Sequence, residues 1–233
     1  MRIGSIGGTQ IHIEGSFFII VGLFVVLNLE SGQPLHHALL WIPLLVVSVL
    51  IHELGHAATL AMLGFGPSHV ALAGFGGITI NRRDALPWQN ILVSIAGPLC
   101  SFLLAGLAAF LLVFVSYFES DPFFQAFLPL VVVANLFWGV FNLLPILPMD
   151  GGHVLSNLAR YFFTPKTADL VSSWISVVFS IGILGLALFA RQVFIAIFAA
   201  MFAWQNYQRA QIIRGFEKPE PDDGEERDPD QKE

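Results

Sequence analysis

Six apolar runs dominate the sequence, at roughly 16–29, 39–63, 89–118, 124–146, 168–190 and 192–208. A bilayer core takes about 20 helical residues to cross, and backbone in lipid must satisfy its own hydrogen bonds, so runs of this length read as spanning helices. The chain of 233 residues is 55% hydrophobic and only 12% charged, with a mean hydropathy of +0.72; soluble domains carry about 25% charge. The expected fold class is an all-α polytopic membrane protein of about six transmembrane helices with a small membrane-associated β element. The first run is short, and extends back through Ile11 and Ile13, tilts little, or sits in locally thinned bilayer. The last two runs are separated only by Arg191-Gln192, as a tight hairpin or one broken helix.

Several classes fall away. A single cysteine, Cys100, rules out an internal disulfide and argues against a cysteine metal site. No basic cluster points to nucleic acid. The first run ends without a small-residue cleavage site and reads as a retained span, not a signal peptide. Residues 1–210 read as one six-span membrane core and 211–233 as a disordered acidic cytoplasmic tail. Arg and Lys fall on alternate connections, at Arg82, Arg83, Arg160, Lys166, Arg209, Arg214 and Lys218, with Arg191 the exception. By the positive-inside rule both termini and the 64–88 and 147–167 connections are cytoplasmic. Residues 64–84 are Gly-rich with strand-like alternation at Val70-Ala71-Leu72 and Ile78-Thr79-Ile80, and read as one or two short strands.

Inside the second run lies Val-Leu-Ile-His52-Glu53-Leu-Gly-His56-Ala-Ala. Ionisable groups at bilayer depth cost several kcal/mol and need partners or a water-filled cavity. On a helix, residues four apart share a face, so His52 and His56 can ligate one Zn²⁺, and Glu53 can reach the water that such a metal activates. Catalytic zinc takes three protein ligands. Asp150, the one acidic residue between Asp121 and Asp169, follows the cytoplasmic end of the fourth run. His52 and His56 lie about 7–11 residues from the cytoplasmic end of the second, or roughly 10–16 Å at helical rise. Both halves of the expected site are thus on one side of the bilayer. His153, His12 and Glu14 are rival ligands, and His36, His37 and His69 read as loop histidines.

His52-Glu-Leu-Gly-His56, Phe75-Gly76-Gly77, Ser94-Ile-Ala-Gly97-Pro98-Leu-Cys-Ser101 and Asn142-Leu-Leu-Pro-Ile-Leu-Pro-Met-Asp150-Gly-Gly occur in that order. Together they resemble the site-2 protease family, polytopic zinc metalloproteases that cut transmembrane segments within the membrane. The resemblance covers about residues 1–210, in a minimal form with no PDZ domain between the spans and no C-terminal CBS pair. It implies His52, His56 and Asp150 as zinc ligands, Glu53 as catalytic base, and Asn142 near the substrate or the developing oxyanion. Asn142 and Asn135 have an alternative role in hydrogen bonding between helices. The resemblance likens the segment around Gly76-Gly77 to the family's β element, whose edge would take an unwound substrate. Gly97-Pro98 would loosen the third span, either for substrate or for close helix packing.

The expected function is an intramembrane zinc endopeptidase acting on a membrane-protein substrate with a transmembrane segment, in a prokaryotic plasma membrane, with a regulatory partner unspecified. The alternatives are a non-catalytic scaffold or transporter that retains fold and metal, and a metalloenzyme acting on a lipid or small molecule.

Overall fold

The computed structural model describes residues 2–74, 76–80, 85–117 and 122–215. Phe75, Arg82, Arg83 and the acidic stretch from 216 onward lie outside the described residues. The described residues are mostly helical, with one four-stranded sheet whose strands lie side by side in chain order.

The N-terminus is a hairpin, β1 (Arg2–Ile6) and β2 (Thr9–Ile13), turning at Gly7-Gly8. Their φ values of 55° and 85° suit glycine and the twist of a two-residue hairpin. Ile11 and Ile13 therefore do not extend the first helix. They alternate with Gln10 and His12, and this period of two buries one face of a strand while leaving the other half-exposed.

Helix α1 (Gly15–Glu30), the short α2 (Leu35–Leu39) and α3 (Trp41–Met62) follow. Then β3 (His69–Ala73) pairs parallel with β2, and β4 (Gly76–Ile80) pairs antiparallel with β3. The helices between β2 and β3 supply the crossover that a parallel pair requires. The inward residues Ile13, Val70 and Leu72 form one core with Phe17 and Val21 of α1 and Leu45, Val49 and Ala57 of α3. The sheet is thereby pressed against the helix that carries the His-Glu-His motif.

Helix α4 (Pro87–Tyr117) contains Pro98, and α5 (Pro122–Asn142) packs on it around Ala108, Leu128, Val131 and Ala134. The fourth run was expected to continue to residue 146, but its helix stops at Asn142, ahead of Pro145 and Pro148. Asp150, which follows the fourth run, is the first residue of α6 (Asp150–Ala159). A carboxylate suits that position, because a helix N-terminus carries partial positive charge.

Helix α7 (Pro165–Phe189) starts at Thr164, whose side chain accepts from the Thr167 amide, with Pro165 in the first turn. Arg191, at φ 56°, breaks the chain before α8 (Val193–Gly215). The fifth and sixth runs are thus two helices folded as a hairpin, and α8 continues through 211–215, where the tail was expected to begin. Four of the described helices are long and apolar enough to cross a membrane: Leu35–Met62, Pro87–Phe114, Phe123–Asn142 and Pro165–Phe189. Helix α1 is apolar but has 16 residues, and α8 turns polar from Gln205 onward. The expected count of six therefore stands at four by length and composition.

Candidate metal centre

Successive turns of α3 present His52 and His56 on one face, with ring centroids 4.9 Å apart. His52, Glu53 and His56 are 2%, 4% and 7% exposed, so all three need partners. His56 Nδ1 donates to the Val93 carbonyl of α4 at 2.6 Å. His52 Nδ1 lies 3.0 Å from the Ser101 hydroxyl of the same helix. With each Nδ1 engaged, each Nε2 is left to face inward, the outer-shell arrangement that orients metal-binding imidazoles.

Both Nε2 atoms meet Asp150. Its Oδ2 is 3.0 Å from His52 Nε2 and its Oδ1 3.4 Å from His56 Nε2. Burial on its own raises the Asp150 carboxyl, but the hydrogen bonds with His52 and His56 prevail and hold it down at about 2. The carboxylate is therefore ionised, as a ligand must be. Two donors each about 2.0–2.1 Å from a tetrahedral zinc are separated by roughly 3.4 Å, close to the observed spacings. Ligand atoms of His52, Glu53 and His56 also lie within 4.8 Å of one another, the group among the described residues able to hold a metal ion. The residues fit a zinc ion on donor chemistry and on spacing.

Glycines make the room. A Cβ on Gly97 would overlap the His56 ring and come within 2.7 Å of His52 Nε2. Gly97 therefore brings α4 against both imidazoles, and of the two readings of Gly97-Pro98 the geometry favours close packing on the site. A Cβ on Gly55 would lie 2.7 Å from the Ala96 carbonyl oxygen, which accounts for the glycine between the histidines. Gly151 and Gly152 sit against the backbone of residues 143–147, so the helix bearing Asp150 closes directly on the turn before it.

Strand β4 covers Glu53. Thr79 Oγ1 donates to Glu53 Oε2 at 2.8 Å, and a Cβ on Gly77 would overlap the Glu53 carboxyl. Gly76, at φ 152°, lies under Trp138 of α5. Asn142 donates to the Trp138 carbonyl one turn back at 2.9 Å, and is engaged within its own helix. Asn135 is the asparagine that crosses between helices, donating to Ser48 of α3 at 2.9 Å.

The rival residues fall outside the His52, Glu53 and His56 group. His12 is on β2, and the Glu14 carboxylate receives Ser16 at 3.4 Å. His153 lines a polar cavity of about 290 Å³ with Asn90, Val93, Ser156, Asp169 and Arg209. Val93, whose carbonyl fixes the His56 ring, is thus shared between that cavity and the motif. Among loop histidines, His36 and His37 fall within α2 and His69 on β3. Ser101, the Val93 carbonyl and Thr79 were not foreseen. Hydroxyls and carbonyls within apolar helices and strands carry no spacing signature, and only the fold brings them to the motif.

Residues 17–149 match the Peptidase M50B-like family and residues 119–185 match Peptidase family M50. The chain belongs to the M50 peptidase family, which includes the site-2 proteases. It is 33% identical over 156 residues to a zinc metalloprotease of Methanocaldococcus jannaschii, an alignment covering 66% of this chain and 44% of that protein. It is 36% identical over 148 residues to the stage IV sporulation protein FB of Bacillus subtilis, covering 63% and 46%. The chain thus spans less than half the length of these relatives. The solved site-2 protease from Methanocaldococcus jannaschii superposes with a TM-score of 0.64 at 25% identity, covering 90% of this chain and 94% of that one.

Proposed function

We propose that this protein is an intramembrane zinc endopeptidase that hydrolyses peptide bonds in or near transmembrane segments of membrane proteins. The observation that carries the proposal is the meeting of Asp150 with both Nε2 atoms of the His-Glu-His motif, 98 positions of chain beyond His52. Names of relatives and the family membership favour zinc over another divalent ion.

In this reading His52, His56 and Asp150 hold the metal and Glu53 is the base. Bound zinc supplies a Lewis acid that polarises the scissile carbonyl and acidifies water. Glu53 accepts the proton of the attacking water and returns it to the leaving amine. Val93 and Ser101 keep the imidazoles turned toward the metal. A helical substrate hides its amides in its own hydrogen bonds, so it must be extended before cleavage. Strand β4 lies over Glu53 and is an edge strand among the described residues, which suits an added strand. Asn142 would have to leave the Trp138 carbonyl before it could donate to an oxyanion. The distribution of Arg and Lys favours cytoplasmic termini and a site toward the cytoplasm, and residues 1–210 act as the membrane unit.

The test is Glu53→Gln, which keeps shape and removes the base. Cleavage of a single-span membrane protein in detergent should fall by about 10²–10⁴-fold while bound zinc is retained. Equal cleavage by the variant would refute the mechanism. Comparison of membrane-protein fragments in cells carrying either form would then identify substrates.

A further inference from the structure

Thr79 is the second residue of this strand to face the motif, after Gly77. In the pairing of β3 with β4, Thr79 sits opposite the buried Val70 and Gly77 opposite the buried Leu72. Both therefore point toward α3, while Ile78 and Ile80 point away and are 55% and 53% exposed. The Glu53 carboxylate fills the space between. Its Oε2 accepts the Thr79 hydroxyl at 2.8 Å, and its Cγ, Cδ and Oε1 occupy the volume a side chain at Gly77 would need. The same hydroxyl lies 3.3 Å from the Glu53 carbonyl oxygen. A glutamate has three side-chain torsions to fix, and an unrestrained carboxylate samples many orientations. Here one oxygen is held and the other is left as the acceptor.

We propose that Thr79 is a positioning residue for Glu53, and that through it the strand offered to an extended substrate also aims the catalytic base. This rests on the peptidase reading above. Its basis is the juxtaposition of three things on one strand: a free sheet edge, a glycine that admits the carboxylate, and a hydroxyl that holds it. β4 is an edge strand among the described residues, paired on one side with β3 alone. A segment adding to its other side would order β4, and the Thr79 hydroxyl transmits that order to Glu53. The base is then best aligned when the edge is occupied, which links hydrolysis to substrate docking.

The experiment compares Thr79→Val, which keeps shape and β-branching but loses the hydroxyl, with Thr79→Ser, which keeps the hydroxyl. The substrate is a single-span membrane protein chosen because the wild-type enzyme cleaves it in detergent. For Thr79→Val the expected result is kcat lower by about tenfold, KM within about twofold of wild type, and unchanged zinc content. Thr79→Ser should restore most of kcat. A role limited to holding the sheet would instead lower zinc content or raise KM, and the serine would give no selective recovery of kcat. Wild-type kcat in Thr79→Val, or a serine variant as slow as the valine, would overturn the proposal. Glu53→Gln run alongside separates the two levels. An inactive glutamine variant with a fully active valine variant sinks the role of Thr79 alone, whereas an active glutamine variant sinks the peptidase reading itself.

Discussion

Replacing Gly97 by alanine sets two effects of opposite sign against each other. In the interior of α4 the substitution favours the helix, since glycine is about 1 kcal/mol worse than alanine there. The new Cβ, however, would overlap the His56 ring and stand 2.7 Å from His52 Nε2. Overpacking of this kind costs about 1–3 kcal/mol, so the net change in stability is a loss of up to about 2 kcal/mol. The effect on metal is larger. To escape the methyl group, His56 must turn, and its 2.6 Å bond to the Val93 carbonyl is lost. Loss of such an outer partner lowers metal affinity by about 10–100-fold, and the misplaced ligand adds to that. Gly106, on the same helix, has no atom within 4 Å of an added Cβ and serves as the control. Gly106→Ala should gain up to about 1 kcal/mol and bind zinc as wild type does. The assay is competition for zinc against a chromophoric chelator in detergent, beside thermal unfolding with and without zinc. If Gly97→Ala binds zinc as tightly as Gly106→Ala, α4 does not press on the imidazoles and the site has been wrongly built.

Two further predictions concern the ligands. Ser101→Ala removes the partner of His52 Nδ1 and should weaken zinc binding by about tenfold with little change in the unfolding temperature of the metal-free protein; chelator competition measures it. In metal-free protein the Asp150 carboxyl sits below its ordinary value, at about 2. Its contribution to stability is therefore complete above the unfolded value near pH 4 and is lost as pH falls through about 2. Asp150→Asn should remove that part of the acid dependence, as read from unfolding temperatures measured between pH 5 and pH 2.

The legible part of this protein was the part written in local spacing. Residues four apart on a helix share a face whatever surrounds them, so His52 and His56 declared themselves, and charge placement set Asp150 on their side of the membrane. β3 and β4 were visible in alternation. The hairpin β1–β2 carried the same signal, in Ile11 and Ile13 around polar residues and in Gly7-Gly8. The neighbouring run is short of a full span, so the same residues also read as an extension of it. α6 escaped notice because two glycines and two prolines precede or open it, and those residues predict a break, not a start. Thr79, Ser101 and the Val93 carbonyl could not be found at all without the fold. Each acts through a contact between elements far apart in sequence.

The polar residues of α7 and α8 follow the same logic and explain why α8 falls short of a typical span. Ser172, Ser176 and Asn206 are each no more than 2% exposed. Ser176 receives the Leu147 amide at 3.0 Å, and Asn206 donates to the Leu147 carbonyl at 2.7 Å. Both backbone groups of one residue in the turn before Asp150 are thus satisfied by side chains, where the irregular turn offers no ladder to satisfy them. Leu147 and its neighbours are apolar, and Ile146 and Met149 pack with Phe202 of α8. On the outer side of the same helices Asp169 holds Arg160 at 3.2 Å and Ser156 at 2.8 Å, tying α6 to α7. An all-apolar α8 would cross lipid more readily but would leave the Leu147 carbonyl without its donor. The composition that weakens α8 as a span is therefore what lets the hairpin grip the turn that leads into Asp150.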